Sequence, residues 1–213
     1  MQIIPTILEK EFGLAQIKIR QAKNISKWIQ IDVIDGKFES GKTFELELVN
    51  TISETTENIL WEIHLMVKEP KNWIEKCSFV NACRIIGQVE MMTDRNEFIT
   101  QVKNLGMEAG LGIDIDTEIG EIPPETDLVL LLTRKAGFKR YDLDKKVFEK
   151  IEMLKKIRDK KGLKFKIGCD GGIDETNIGE LNRVGVGIAY CGEAIFNGNV
   201  DDNLEKLKYA SEN

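Results

Sequence analysis

Two hydrophobic rhythms alternate along this chain from one end to the other. Short apolar runs at residues 3–8, 28–33, 59–66, 84–88, 108–113, 128–133, 165–169 and 186–191 predict eight β-strands. Between them, apolar positions recur at helical spacing. That spacing predicts helices over 12–23 (with Leu14, Ile17, Ile19 and Ala22 inward), near 45–52, after Pro70, and over 94–105, 148–161, 175–183 and 203–209. Residues 117–122 have room for only a turn or so of helix. The punctuation agrees: Pro70 suits a first turn, and Gly106, Gly162 and Gly185 each follow a last periodic residue. The sixth run is nearly all leucine and valine, which suits a strand covered on both faces.

Eight β/α pairs in series predict an α/β fold, a TIM (β/α)8 barrel, with residues 1–213 forming one domain and few decorations. The competing architecture is an open, doubly wound sheet. It would carry a GxGxxG turn after the first strand and gather its polar residues at one switch point. That turn is missing, and ionisable residues close several strands instead.

Three strand ends carry the chemistry. Gln30-Ile31-Asp32-Val33-Ile34-Asp35-Gly36 places Gln30 and Asp32 on one strand face before an Asp-Gly turn. His64 closes Trp61-Glu62-Ile63-His64-Leu65-Met66, and Asp170 closes Lys166-Ile167-Gly168-Cys169-Asp170-Gly171-Gly172. A carboxylate within an apolar strand costs several kcal/mol unless it is paired, hydrogen-bonded or bound to a metal. The plain alternative for each aspartate is a hydrogen-bonded strand-end carboxylate, and for His64, the only histidine, a satisfied core residue.

Composition narrows the rest. A chain of 213 residues with 42% hydrophobic content can bury a substantial core. A formal net charge of −6 and the lack of a basic block argue against nucleic acid or an anionic membrane as partner. The start, Met1-Gln2-Ile3-Ile4-Pro5, has neither the charged nor the long apolar region of a secretory signal, and no apolar run is long enough to span a bilayer. Cys77, Cys83, Cys169 and Cys191 form no CxxC pair and read as reduced, packed thiols. A cytoplasmic location is therefore expected.

Taken together, the motifs resemble the ribulose-phosphate 3-epimerase family nearly end to end. The likeness rests on Pro5-Thr6-Ile7-Leu8, Asp32-Val33-Ile34-Asp35-Gly36, His64-Leu65-Met66 with Glu69-Pro70, Gly137-Phe138, Asp170-Gly171-Gly172-Ile173 and Gly192-Glu193-Ala194-Ile195-Phe196. Each fragment is short; their order at successive strand ends makes the set specific. The resemblance implies a keto-pentose phosphate substrate whose C3 proton is removed by one aspartate and returned to the opposite face by another. It also implies a divalent metal ion, zinc or manganese, that steadies the enediolate between them. Asp32 and Asp170 match the two acid/base residues, which also ligate the metal, and His64 matches a histidine ligand. Gln30 stands in place of the second histidine ligand, and its amide oxygen suits a harder ion better than zinc. Gln88 and Glu90 stand where the family shows His-x-Glu. Thr6, Met66, Gln88, Gly171 and Gly172 are further substrate contacts implied by the likeness. Family members commonly form homo-oligomers, so a homo-oligomer is expected too.

The phosphate end departs from the family pattern. The family holds phosphate with backbone N–H groups of a Gly-Phe-Gly-Gly loop after strand six and a Gly-Ser turn after strand eight. Here the first loop reads Ala136-Gly137-Phe138-Lys139-Arg140, and the second reads Gly192-Glu193. An inward Glu193 would repel a phosphate charge by roughly 3 kcal/mol at ~5 Å and an effective dielectric of ~20. Arg134, Lys135, Lys139 and Arg140, if exposed, would each return at most about 1 kcal/mol. Three readings follow: an epimerase of ribulose 5-phosphate and xylulose 5-phosphate, an epimerase or isomerase of another, unphosphorylated sugar, or a non-catalytic barrel that has lost its metal and phosphate sites.

Overall fold

The computed structural model describes residues 1–52, 58–138 and 142–213, and its centre is a closed barrel of eight parallel strands. These are β1 (Gln2–Ile7), β2 (Trp28–Ile34), β3 (Leu60–Met66), β4 (Ala82–Gln88), β5 (Glu108–Ile113), β6 (Leu128–Leu132), β7 (Lys166–Asp170) and β8 (Ile188–Cys191). Each pairs with the next, and β8 closes on β1 with Gln2 opposite Ile188. All eight predicted strands form, and the TIM barrel expected from the alternation is the fold observed.

Helices cover the outside: α1 (Phe12–Ile25), α2 (Ile74–Phe79), α3 (Arg95–Asn104), α4 (Lys146–Lys161), α5 (Ile178–Arg183), α6 (Glu193–Phe196) and α7 (Val200–Glu212). The ends obey their local signals. Asp94 caps α3 by accepting the Glu97 N–H at 2.9 Å, and α4 stops at Gly162 in the left-handed region. The helix expected near 45–52 is a 3-10 helix, Leu46–Ile52. On α1 the buried face is Ala15, Ile19 and Ala22, whereas Leu14 and Ile17 are 50% and 55% exposed. Of the four positions expected inward, Ile19 and Ala22 are buried and Leu14 and Ile17 are not, with Ala15 completing the buried face. Two alanines let the helix lie close to the barrel, which larger residues at those positions would prevent.

The helical turn expected at 117–122 does not form. Gly120 adopts a φ of +65°, and Pro123 and Pro124 follow. Two cations from neighbouring helices satisfy this loop's carbonyls. Lys150 Nζ donates to the oxygens of Asp114, Ile115 and Thr117, and Arg95 Nη1 to those of Ile119 and Glu121. Carbonyls held by side chains have no need of an intrahelical N–H, so the chain stays a loop.

The main apolar cluster lies between barrel and helices. Inside the barrel, Ile4, Ile86, Leu128, Leu130, Ile188 and Tyr190 form a second layer. Nearer the strand N-termini an ion pair plugs the bore. Arg84, 1% exposed, bonds to Glu62, bonds to Glu108 at 2.6 Å and lies 4.4 Å from the Trp28 ring centroid. Burial pushes the Glu62 carboxyl above its usual range, and the charge of Arg84 only partly opposes this. Cys77, Cys169 and Cys191 are buried free thiols, and burial pushes Cys77 up to about 12. No helix among the described residues is long and apolar enough to cross a membrane.

Candidate active site and metal centre

Barrel register, rather than sequence proximity, assembles the site. Thr6 on β1 lies beside Gln30 on β2, Asp32 beside His64 on β3, and Gln88 on β4 beside Gly112 on β5. Asp170 ends β7, opposite Tyr190 on β8. Because alternate residues face inward, Gln30 and Asp32 both enter the bore. Gln30, His64 and Gln88 have no exposure, and Thr6, Asp32 and Asp170 are 7%, 5% and 9% exposed.

One hydrogen-bonded network joins them. Gln30 Nε2 lies 2.8 Å from Thr6 Oγ1, 3.0 Å from Asp32 Oδ1 and 2.9 Å from Asp170 Oδ2. Thr6 Oγ1 donates onward to Asp32 Oδ2 at 3.1 Å. His64 Nδ1 meets Asp32 Oδ1 at 3.1 Å, and His64 Nε2 meets Gln88 Oε1 at 3.0 Å. The two carboxylates are therefore bridged by one amide nitrogen, that of buried Gln30.

The electrostatics follow from this crowding. Burial pushes Asp170 up to about 7, and the nearby charge of Asp32 adds to the rise. Burial opposes charge on His64, but the bond to Asp32, the fields of both aspartates and the Gln88 carbonyl together raise it above its ordinary value. Thr133 steadies the Asp170 end: its N–H donates to the Asp170 carbonyl at 2.8 Å, and its hydroxyl to the carbonyls of Asp170 and Gly171. The sequence carried no signal for Thr133, because only the pairing of β6 with β7 brings it beside Asp170.

One ligand-type atom from each of Asp32, His64 and Asp170 lies within 4.8 Å of the others. The donor set fits a divalent cation: two carboxylates and one imidazole, all buried, with the Gln30 amide oxygen nearby and without a partner. With Gln88 Oε1 facing Nε2, the nitrogen left for a cation is Nδ1, beside Asp32.

Above this cluster a cavity of about 280 Å³ opens at the C-terminal ends of the strands. Asp32 and Asp170 form its floor; Thr6, Met66, Gly137 and Phe138 line its walls, and Gly171, Gly172, Gly192 and Glu193 line the far end. Gln88 departs from the expected substrate contact. It is fully buried beneath the cavity against His64, because Gly112 leaves room for its amide there. Glu90 turns away as well, accepting the Asp114 N–H at 2.8 Å. Glu193 is exposed on the rim, so water screens the repulsion that an inward carboxylate would exert. Arg134 and Lys135 line the cavity; Lys139 and Arg140 lie outside the described residues. Lys18 of α1 also lines the wall, paired with Glu9 at 2.6 Å, and its helical position gave no hint of this.

A closed (β/α)8 barrel with two carboxylates and an imidazole gathered at its C-terminal mouth has the build of a barrel enzyme. A sequence model of the ribulose-phosphate 3 epimerase family matches residues 2–196. The chain belongs to that family. Ribulose-phosphate 3-epimerase of Treponema pallidum is 25% identical over 208 residues, covering 96% of this chain and 95% of the relative. The enzyme of the same name from Chlamydia pneumoniae is 31% identical over 189 residues, covering 86% and 81%. Among solved structures, 3-hexulose-6-phosphate synthase from Salmonella typhimurium superposes with a TM-score of 0.68 at 13% identity over 100% of this chain and 99% of that one. At that identity the structural likeness speaks for the fold alone.

Proposed function

We propose that the chain is a ribulose-phosphate 3-epimerase, interconverting ribulose 5-phosphate and xylulose 5-phosphate by proton transfer at C3. The observation that carries this reading is the meeting of Asp32 and Asp170 on the floor of one cavity, bridged by a single amide nitrogen. One aspartate takes the C3 proton and leaves a planar enediolate; the other, protonated, returns a proton to the opposite face. The reverse reaction exchanges the roles, so each must act as acid and as base. A divalent ion held by Asp32, His64, Asp170 and the Gln30 carbonyl would supply Lewis-acid stabilisation of the charge that develops on the substrate oxygens. Zinc and manganese are the candidate ions. Thr6 fixes the Asp32 carboxylate through its hydrogen bond. Buried Met66 and Leu132 line the cavity with Phe138 and limit water at the reacting carbon.

At the far end, Gly171, Gly172 and Gly192 line the cavity with Arg134 and Lys135, the Arg134 side chain standing where a Cβ of Gly171 would be. Glu193 and Glu9 on that rim favour a second reading, an unphosphorylated sugar whose hydroxyls donate to those carboxylates. Both readings meet one test. Purified protein in deuterated water is offered ribulose 5-phosphate and neutral ketopentoses, with manganese or zinc added, and exchange at C3 is followed by NMR. Exchange only in the phosphorylated sugar, slowed by about a hundredfold or more in Asp32→Asn, is the expected result. Exchange only in neutral sugars favours the second reading, and none with any metal ends both.

A further inference from the structure

The glutamines that stand where the family resemblance expects histidines each leave one buried amide atom without a partner, Gln30 Oε1 and Gln88 Nε2. For Gln30 the contrast between its two ends is sharp. Nε2 touches oxygens of Thr6, Asp32 and Asp170, all within 3.0 Å, whereas Oε1 touches no donor, although the residue has no exposure. The assignment of nitrogen and oxygen follows from the surroundings. Reversed, the amide would set a third oxygen against two buried carboxylates and an N–H2 group against nothing. As placed, the donor end lies between the same carboxylates that would hold a cation.

A divalent ion at that point reverses the preference. It repels the N–H2 dipole and attracts the carbonyl oxygen, and rotation about the last side-chain bond exchanges the two ends without moving the backbone. We propose that Gln30 is a two-position residue: its Nε2 holds the aspartates together in the metal-free protein, and its Oε1 joins the ligand set when a divalent ion enters. The inference rests on the metal centre of the proposed reaction, but not on which sugar is turned over. Two properties follow. Entry of the ion must break the Nε2 bonds, so binding is weaker than a histidine would give. An amide oxygen also tilts selectivity from zinc toward manganese and magnesium.

The first test uses the wild-type protein, uniformly ¹⁵N-labelled and stripped of metal. The Gln30 side-chain N–H2 signals, assigned by their loss in Gln30→Glu, are followed by NMR as magnesium is added. A shift that saturates together with calorimetric binding of the same ion is expected. Calorimetry with manganese and zinc on Gln30→Glu and Gln30→His supplies the second test. Gln30→Glu is expected to melt lower without metal, three carboxylates then facing one another, and to bind manganese about tenfold tighter or more; Gln30→His is expected to gain about as much for zinc. Unmoved Gln30 signals at saturation, or variants that bind both ions as the parent does, overturn the proposal. So does a parent that binds none of the three ions. No sugar enters either test, so a failed epimerase assay leaves these outcomes standing.

Discussion

Gly112 is the residue on which the imidazole's setting turns. A Cβ added there would lie 2.1 Å from Gln88 Oε1, 3.2 Å from Gln88 Cδ and 3.0 Å from His64 Nε2. The Gln88 amide would have to retreat by about an ångström to reach ordinary contact. Its bond to His64, now 3.0 Å, would pass beyond hydrogen-bonding range. Gly112→Ala should therefore leave the buried Nε2–H without an acceptor, a loss of about 1–3 kcal/mol. Better strand propensity offsets that loss by no more than ~1 kcal/mol. Metal affinity should fall about 10–100-fold, because the acceptor that orients a ligating imidazole is gone. Urea unfolding of metal-free protein and calorimetry with manganese measure the two effects separately. Pairing the change with Gln88→Ala relieves the clash but restores no acceptor, so stability should partly recover while metal affinity does not. A Gly112→Ala protein with parental stability and parental metal affinity would refute the assignment of Gln88 as the group that orients His64.

Four further outcomes are expected. Asp32→Asn and Asp170→Asn should each slow C3 exchange by about 10²–10⁴-fold while leaving the far-ultraviolet circular dichroism of the barrel intact. In metal-free protein, Asp170 and His64 are both raised above their ordinary values, so the folded state holds more protons than the unfolded one at mild acidity. The stability this contributes is present below their unfolded values and lost as pH rises through the folded ones, about 7 for Asp170. The melting temperature in chelator should then fall as pH rises from about 4 to about 7, and Asp170→Asn should flatten that fall. Arg84→Met should cost about 3–5 kcal/mol in urea unfolding by stranding buried Glu62, and adding Glu62→Leu should recover most of it. Glu193→Ser should lower KM for the phosphorylated sugar by up to about fivefold, the most an exposed rim charge is worth; an unchanged KM would remove Glu193 from the phosphate account.

The order of β and α units was legible because each barrel strand and its covering helix bury a local stripe, and periodicity records which residues that stripe contains. The three polar strand ends were legible for a related reason: a carboxylate or imidazole inside an apolar run needs a partner that the run itself lacks. Helical detail was less secure. The face of α1 was misjudged because Leu14 and Ile17 stay half exposed while alanines pack, and 117–122 stayed a loop because Lys150 and Arg95 reach it from other helices. Nothing local to that segment announces a lysine that lies more than thirty residues ahead.

By itself, then, the sequence determined the barrel, the strand ends that carry ionisable residues, and Asp32, His64 and Asp170 as residues expected to be neighbours. Only the tertiary structure decided how they meet. Strand register set Asp32 against His64 and Gln88 against Gly112, and closure brought β7 round to within an amide nitrogen of β2. It also turned Gln88 and Glu90 away from the cavity and left Glu193 on a wet rim. The physical reason is range. Side-chain alternation along a strand is fixed by its nearest neighbours in the chain, whereas the partner of a buried polar atom is chosen by packing between segments far apart in sequence.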